Sequence, residues 1–492
     1  MSPVEASSIG AGPTRILVAG VDSSTQSTKV TVRDLATGRQ VRAGRAAHPA
    51  GTIVDPNAWW DALLTAVSRA GGLDDVAAIS VAGQQHTPVL LDSRGRVVCD
   101  SPLWNDLGSH ASMLALNEEL GRREWIRRTG LPITLSDTAP KLRWLRDTRP
   151  RCAERTAAVA LVHDWLTWRL MGHGDQDGGD IGALTTDRSE ASGTAYWDGR
   201  GGRVGTYCQD LVELSLGHRP HLPRVLGPLD VAGATGAGIA GVPQGIPVGV
   251  GAGDNAAAAL ALGACRGDVI MSLGTSGNVY ARSAEPTYDY SGHVCSYASA
   301  TGDYLPLAAT LNATRNFDVG AALLGITCPQ LDELALAAPP GAGGLTLLPF
   351  FEGERTPDLP RARASLHGMS LGNLSPGNLA RAIIEGTLAS QVAMLDNLAD
   401  CGLPAERLVL IGGGARSSAV QQILPTMVGT PVVVPVPDEY VAKGAAMQAA
   451  STVTGDFPVW GMEMVRIPES DYDSLVRDQY DSAMRAMGYE PY

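Results

Sequence analysis

Lysine is nearly missing from this chain: Lys29, Lys141 and Lys443 are the only three in 492 residues. They are followed by Val30, Leu142 and Gly444, so a Walker-type phosphate loop, which needs Lys followed by Ser or Thr, is excluded. The protein-kinase set is missing as well, with no His-Arg-Asp catalytic loop and no Asp-Phe-Gly. No His-Glu-x-x-His occurs, and the nine histidines show no metal-ligand spacing. The seven cysteines are scattered without a Cys-x-x-Cys pair, so neither a zinc site nor a disulfide framework is signalled. No apolar run reaches the ~20 residues of a membrane span. A net charge of −13 leaves no basic excess for nucleic acid or an anionic membrane; neither is expected as a partner. Residues 1–14 have no basic stretch followed by an apolar core and are read as a frayed leader. With reduced thiols, this places the protein in the cytoplasm.

What is present is a large apolar fraction, 44% against 18% charged. Residues 15–21 form a short apolar run, read as a buried strand, ending in the hydroxyl-rich turn Asp22-Ser23-Ser24-Thr25-Gln26-Ser27-Thr28. Residues 29–33 alternate as a second strand, and a third lies around Val41. Asp55-Pro56 opens a helix, with Asp as the cap. Residues 76–82 are a further strand leading into Gly83-Gln84-Gln85-His86. This β-β-β-α-β order is that of a ribonuclease-H-like unit. A second strand, tight turn and return strand appears at residues 268–281, around Gly274-Thr275-Ser276-Gly277. The repetition implies a duplicated domain, 15–263 followed by 264–492, with the seam near Gly263. Later, residues 408–411 form a strand that runs through Gly412-Gly413-Gly414 into a helix N-terminus, a natural seat for an anion or ribose. A long helix spans about 376–400, capped by Ser375.

Each chemical signal has a plain alternative. Asp22 in its hydroxyl turn can present a phosphate cradle and a carboxylate for a hydrated Mg²⁺, or be an ordinary turn. Asp254 is either the cap of the helix that follows or a general base for a hydroxyl. His86 is either a ligand contact or a structural histidine. Trp104 in Leu103-Trp104-Asn105-Asp106 is either a polyol wall or core packing. Gly353-Glu354-Arg355-Thr356-Pro357 reads as a structural ion-pair turn.

Taken together, several segments resemble the FGGY carbohydrate kinases, within the actin/Hsp70/hexokinase-type ATPase superfamily, and among them the members that act on D-xylulose. They are Gly20-Val21-Asp22-Ser23-Ser24-Thr25-Gln26-Ser27, Gly83-Gln84-Gln85-His86 and Leu103-Trp104-Asn105-Asp106. They continue with Ala139-Pro140-Lys141-Leu142-Arg143-Trp144, Gly253-Asp254-Asn255, Ser272-Leu273-Gly274-Thr275-Ser276-Gly277, Gly353-Glu354-Arg355-Thr356-Pro357 and Ile411-Gly412-Gly413-Gly414-Ala415. The resemblance implies an α/β fold of two ribonuclease-H-like domains with a central cleft, sugar on the N-terminal side and ATP with Mg²⁺ on the C-terminal side. It implies Asp254 as catalytic base and Asp22 organising Mg²⁺ through water. Gln85, His86, Trp104, Asn105, Asp106 and Asn255 would meet the sugar. Ser24, Thr25, Gln26, Gly274, Thr275, Gly413, Gly414 and Ser418 would meet the nucleotide.

The implied reaction is phosphorylation of a ketose, D-xylulose by default, by ATP. Another ketose or polyol, or a non-catalytic sensor on the same fold, are the alternatives. Assembly is left open, a homodimer among the outcomes. Two departures fall in the sugar segments: Thr87-Pro88 follows the Gln-His pair where the family has Gly, and Gly108 stands where it has Arg. Gly108 is expected to leave space beside the sugar.

Overall fold

The computed structural model describes residues 15–174 and 178–490; the expected leader at 1–14 lies outside them. Two seven-stranded sheets dominate. In the first, Leu17–Ser23 is the central strand and is buried along its whole length, as a continuous apolar run requires. On one side it pairs antiparallel with Ser27–Asp34, which pairs with Gln40–Ala47. On the other side Val76–Gly83 runs parallel to it, followed by Pro247–Gly249 and the antiparallel edge strand Val231–Ala234. The two-residue strand Ala252–Gly253 runs beside the end of Val76–Gly83. The helix Asn57–Arg69 starts one residue later than the sequence suggests, with Asp55 Oδ1 still accepting from the Asn57 N–H at 3.0 Å.

The second sheet repeats this order. Asp268–Leu273 pairs antiparallel with Gly277–Ala281, which pairs with Tyr304–Thr310 and then Cys295–Ala298. Arg407–Ile411 and Val432–Pro435 follow in parallel on the other side, with Met464–Arg466 at the edge. The long helix Pro376–Asp400 is capped by Ser375 Oγ, which accepts from the Asn378 N–H, and stops at Cys401.

Two helices join the halves. Tyr440–Thr454, from the end of the second half, lies across Leu17–Ser23 and Val76–Gly83 and crosses Asp254–Leu262. The approach is main chain to main chain. A Cβ on Gly20 would stand 2.0 Å from the Ala442 carbonyl oxygen, and one on Gly444 would stand 1.9 Å from that of Ala257. Ala256, Ala257, Ala445 and Ala446 share one hydrophobic cluster with Ile270 and Val409 of the second sheet. Among the described residues, no single helix is long and apolar enough to cross a membrane.

Candidate active site

The hairpin register sets Asp22 opposite Lys29 and Ser23 opposite Thr28, so the tip of residues 24–26 projects beyond the sheet. Asp22 is buried; its Oδ1 accepts from Ser24 Oγ, and its Oδ2 lies 3.5 Å from Lys29 Nζ. Burial pushes the Asp22 carboxyl upward against the pull of Lys29. The second tip is tied down by Thr314, whose N–H and Oγ1 both donate to the Gly274 carbonyl, at 2.9 and 2.7 Å. Gly412 and Gly414 press against Leu273, where a Cβ would come within 2.5 and 2.7 Å, so the glycine turn lies against the second hairpin. Gly413 is exposed, and a Cβ there would meet nothing within 4 Å.

Asp254 is close enough to Asp22 to feel its charge, and its neighbour Asn255 touches the second hairpin. Asp254 is the first residue of its helix and does not cap it; the cap position is Gly253. Its Oδ1 nonetheless accepts from Asn255 in the first helical turn, through N–H at 2.7 Å and Nδ2 at 3.0 Å. Burial, with a smaller push from the Asp22 charge, raises the Asp254 carboxyl to about 7, within the range of a base poised for neutral pH. Asn278 Nδ2, on the second hairpin, donates to Asn255 Oδ1 at 3.3 Å, a polar contact across the cleft.

The sugar segments gather beside it. Gln85 Nε2 donates to the Ser189 carbonyl at 3.0 Å, and Ser189 Oγ accepts from the Gly253 N–H at 2.9 Å. A Cβ on Gly253 would overlap Gln85 at 2.6 Å, which is why glycine precedes Asp254. His86 holds a left-handed backbone at φ 72°, a strained conformation for a side-chain-bearing residue. Its Nδ1 is 2.7 Å from the Gly193 carbonyl, and burial lowers the ring to about 4, so it is neutral at physiological pH.

Several sequence readings are corrected by this geometry. Trp104 is half-buried, and its indole N–H donates to Thr25 Oγ1 at 2.9 Å, joining the sugar segment to the phosphate turn. Asp106 spends its carboxylate internally, on Thr52 Oγ1 at 2.7 Å and the Gly108 N–H at 2.8 Å, whereas Asn105 is exposed. Gly108 leaves no space toward its own loop, since a Cβ would stand 2.8 Å from Asp106 Oδ1. Pro88 opens the strand Pro88–Leu91, opposite Leu161, a position that tolerates proline. Residues 353–357 are not an ion-pair turn. Glu354 accepts from the Leu311 N–H and Asn312 Nδ2, while Arg355 turns away to Cys295 Sγ. The N-terminus of helix Ser418–Val428 is already filled, because the Asp332 carboxylate accepts from the Ser418 N–H at 2.9 Å and from Ser417 Oγ at 2.8 Å. An anion at that seat would meet a carboxylate, so Ser418 is engaged within the protein.

The supporting segment 187–190 went unread in the sequence, although Asp187-x-x-Glu190 has the capping-box pattern. Asp187 caps the short helix Arg188–Ser192 through the Ser189 and Glu190 N–H groups, which fixes Ser189 under Gln85. Among the described residues no cluster of three or more His, Cys, Asp or Glu is placed to hold a metal.

Comparison with known proteins agrees with this arrangement. The sequence profile of the FGGY family of carbohydrate kinases, N-terminal domain, matches residues 17–261, and that of its C-terminal domain matches residues 269–453. A xylulose kinase of Streptomyces rubiginosus is 45% identical over 90% of this chain and 89% of its own. One from Streptomyces coelicolor is 44% identical over 89% of each. The crystal structure of xylulose kinase from Bifidobacterium adolescentis superposes with a TM-score of 0.88 at 43% identity, covering 96% of this chain and 100% of that one. Two repeated sheets, two hydroxyl-rich tips and a carboxylate within reach of the Asp22 charge thus have a common explanation: the chain belongs to the FGGY family of carbohydrate kinases.

Proposed function

We propose that this carbohydrate kinase transfers the γ-phosphate of ATP to D-xylulose, giving D-xylulose 5-phosphate, in the cytoplasm. The observation that carries the reading is Asp254, raised to about 7 by burial and the Asp22 charge, with Gln85 packed against the glycine before it. Phosphoryl transfer asks little covalent chemistry of the protein; it asks for positioning and for a group that accepts the proton of the attacking hydroxyl. Asp254 has that capacity, and Gln85, His86 and Asn255 orient the sugar. The N-terminal part, 15–263, holds the sugar. The C-terminal part, 264–492, holds the nucleotide through Gly274, Thr275, Gly413 and Gly414, while Ser24, Thr25 and Gln26 close on the phosphates from the opposite side. The residues suit a Mg²⁺ that arrives on the nucleotide: such an ion keeps most of its waters and needs one or two carboxylates, and Asp22 offers one. When bound, it would spread the charge of the phosphates.

Coupled ADP release across a panel of ketoses and polyols tests the assignment. The highest kcat/KM is expected for D-xylulose. A different sugar preferred by about tenfold or more, roughly 1.4 kcal/mol, would reassign the substrate. No ADP release with any sugar would point to the sensor.

A further inference from the structure

Lys141 belongs to a segment that the phosphoryl-transfer reading leaves without a task. It sits on the helix Thr138–Thr148 and is completely buried. Its Nζ donates to the carbonyls of Leu135 at 2.8 Å, Ser136 at 2.9 Å and Trp104 at 3.4 Å. An ammonium has three donors, and all three are spent on main chain, none on a carboxylate. Burying a charge this way is costly, and an apolar side chain would fill the space more cheaply, so packing alone does not account for it.

The two loops it joins have separate links to the cleft. Trp104 reaches the phosphate turn through Thr25. Leu135 and Ser136 lead into Asp137, whose Oδ2 accepts from the Thr134 N–H at 2.6 Å and whose Oδ1 lies 3.6 Å from His86 Nδ1. We infer that Lys141 is a positioning residue of the sugar pocket, its ammonium holding the Trp104 loop against the loop that sets His86. This rests on the sugar-kinase reading of the site.

A pH dependence follows. The Asp137 and Asp106 carboxylates favour the charged form, and the Arg355 guanidinium opposes it. Burial outweighs them and lowers Lys141 to about 7. The fourth group facing this region, His86, is already neutral there. Losing the proton removes one of the three donors and turns a lone pair toward a carbonyl, so the two loops loosen as pH rises through about 7.

The test is calorimetric binding of D-xylulose without nucleotide, from about pH 6 to about pH 8.5, for the wild type and Lys141→Met. Wild-type affinity should weaken several-fold over this range. The variant should bind about tenfold more weakly at the low end, as for a lost buried donor, and should lack the Lys141-dependent part of the pH response. Its affinity for a non-hydrolysable ATP analogue should change by less than about twofold. A variant with the wild-type pH response, or one that loses sugar and nucleotide affinity together with a lowered Tm, overturns the inference. If Lys141→Met does not fold, Lys141→Arg, whose guanidinium stays charged over the whole range, takes its place, and a wild-type pH response in that variant rejects the idea. A wild type that binds another ketose but not D-xylulose faults the substrate and not Lys141, and the series is then run with that ketose. One that binds no ketose faults the kinase reading, and the inference falls with it.

Discussion

Asp254 carries opposite consequences for activity and for stability. As a base it works deprotonated, so kcat at saturating sugar should climb as pH rises through about 7 and level off above, with no second limb from His86, which stays neutral. A pH–rate profile checks this, and a flat profile between about pH 5.5 and 8 would remove Asp254 from the role. Asp254→Asn keeps the shape and loses the acceptor; turnover should fall by ~10²–10⁴, with binding of an ATP analogue retained. The stability effect has the other sign. A carboxyl raised in the folded state binds protons that the unfolded chain has released, so its contribution is lost as pH rises through about 7. Asp254→Asn should therefore melt higher than wild type at pH 8, an advantage that vanishes below about pH 4. At this scale position was legible: Asp22 stands near a strand end and Asp254 at a helix start, where the sequence puts them. Contact was illegible where the partner is remote: nothing near Ser418 announces Asp332, and nothing near Trp104 announces Thr25.

At the scale of elements, strands and long helices were readable because their patterns are local: an unbroken apolar run, a Ser-Pro helix start, a glycine turn. What local pattern could not say is which glycines are steric necessities. Gly444 and Gly413 make the contrast testable. Gly444→Ala forces a Cβ to within 1.9 Å of the Ala257 carbonyl, and overpacking of this kind costs ~1–3 kcal/mol or more; denaturant unfolding should show it. Gly413→Ala meets nothing within 4 Å, so stability should change by less than about 0.5 kcal/mol. If Gly413 lines the nucleotide pocket, the KM for ATP should nevertheless rise severalfold. Unchanged ATP kinetics would place Gly413 outside the pocket.

The whole molecule repeats one sheet order twice, and the second hairpin reaches the first half through Asn278 and Asn255. The duplication was visible in the sequence as two strand–turn–strand units. The crossing of Asp254–Leu262 with Tyr440–Thr454 was not, since it depends on residues nearly 200 apart in the chain. Phosphates held from both sides should draw the halves together and exclude water from the transferred group. Small-angle scattering should register a smaller radius of gyration with D-xylulose plus a non-hydrolysable ATP analogue than with neither, and identical curves would count against closure. The helix crossing gives that motion a particular character. At Gly444 and Ala257 main chain bears directly on main chain, so turning there would re-sort no long side chains and consume little side-chain entropy. One turn further along the same helix, Gln448 Nε2 donates to the Gly251 carbonyl at 2.7 Å, a catch between the crossing helix and the loop that leads into Asp254. The angle between the halves is then set jointly by that catch and by whatever the cleft contains.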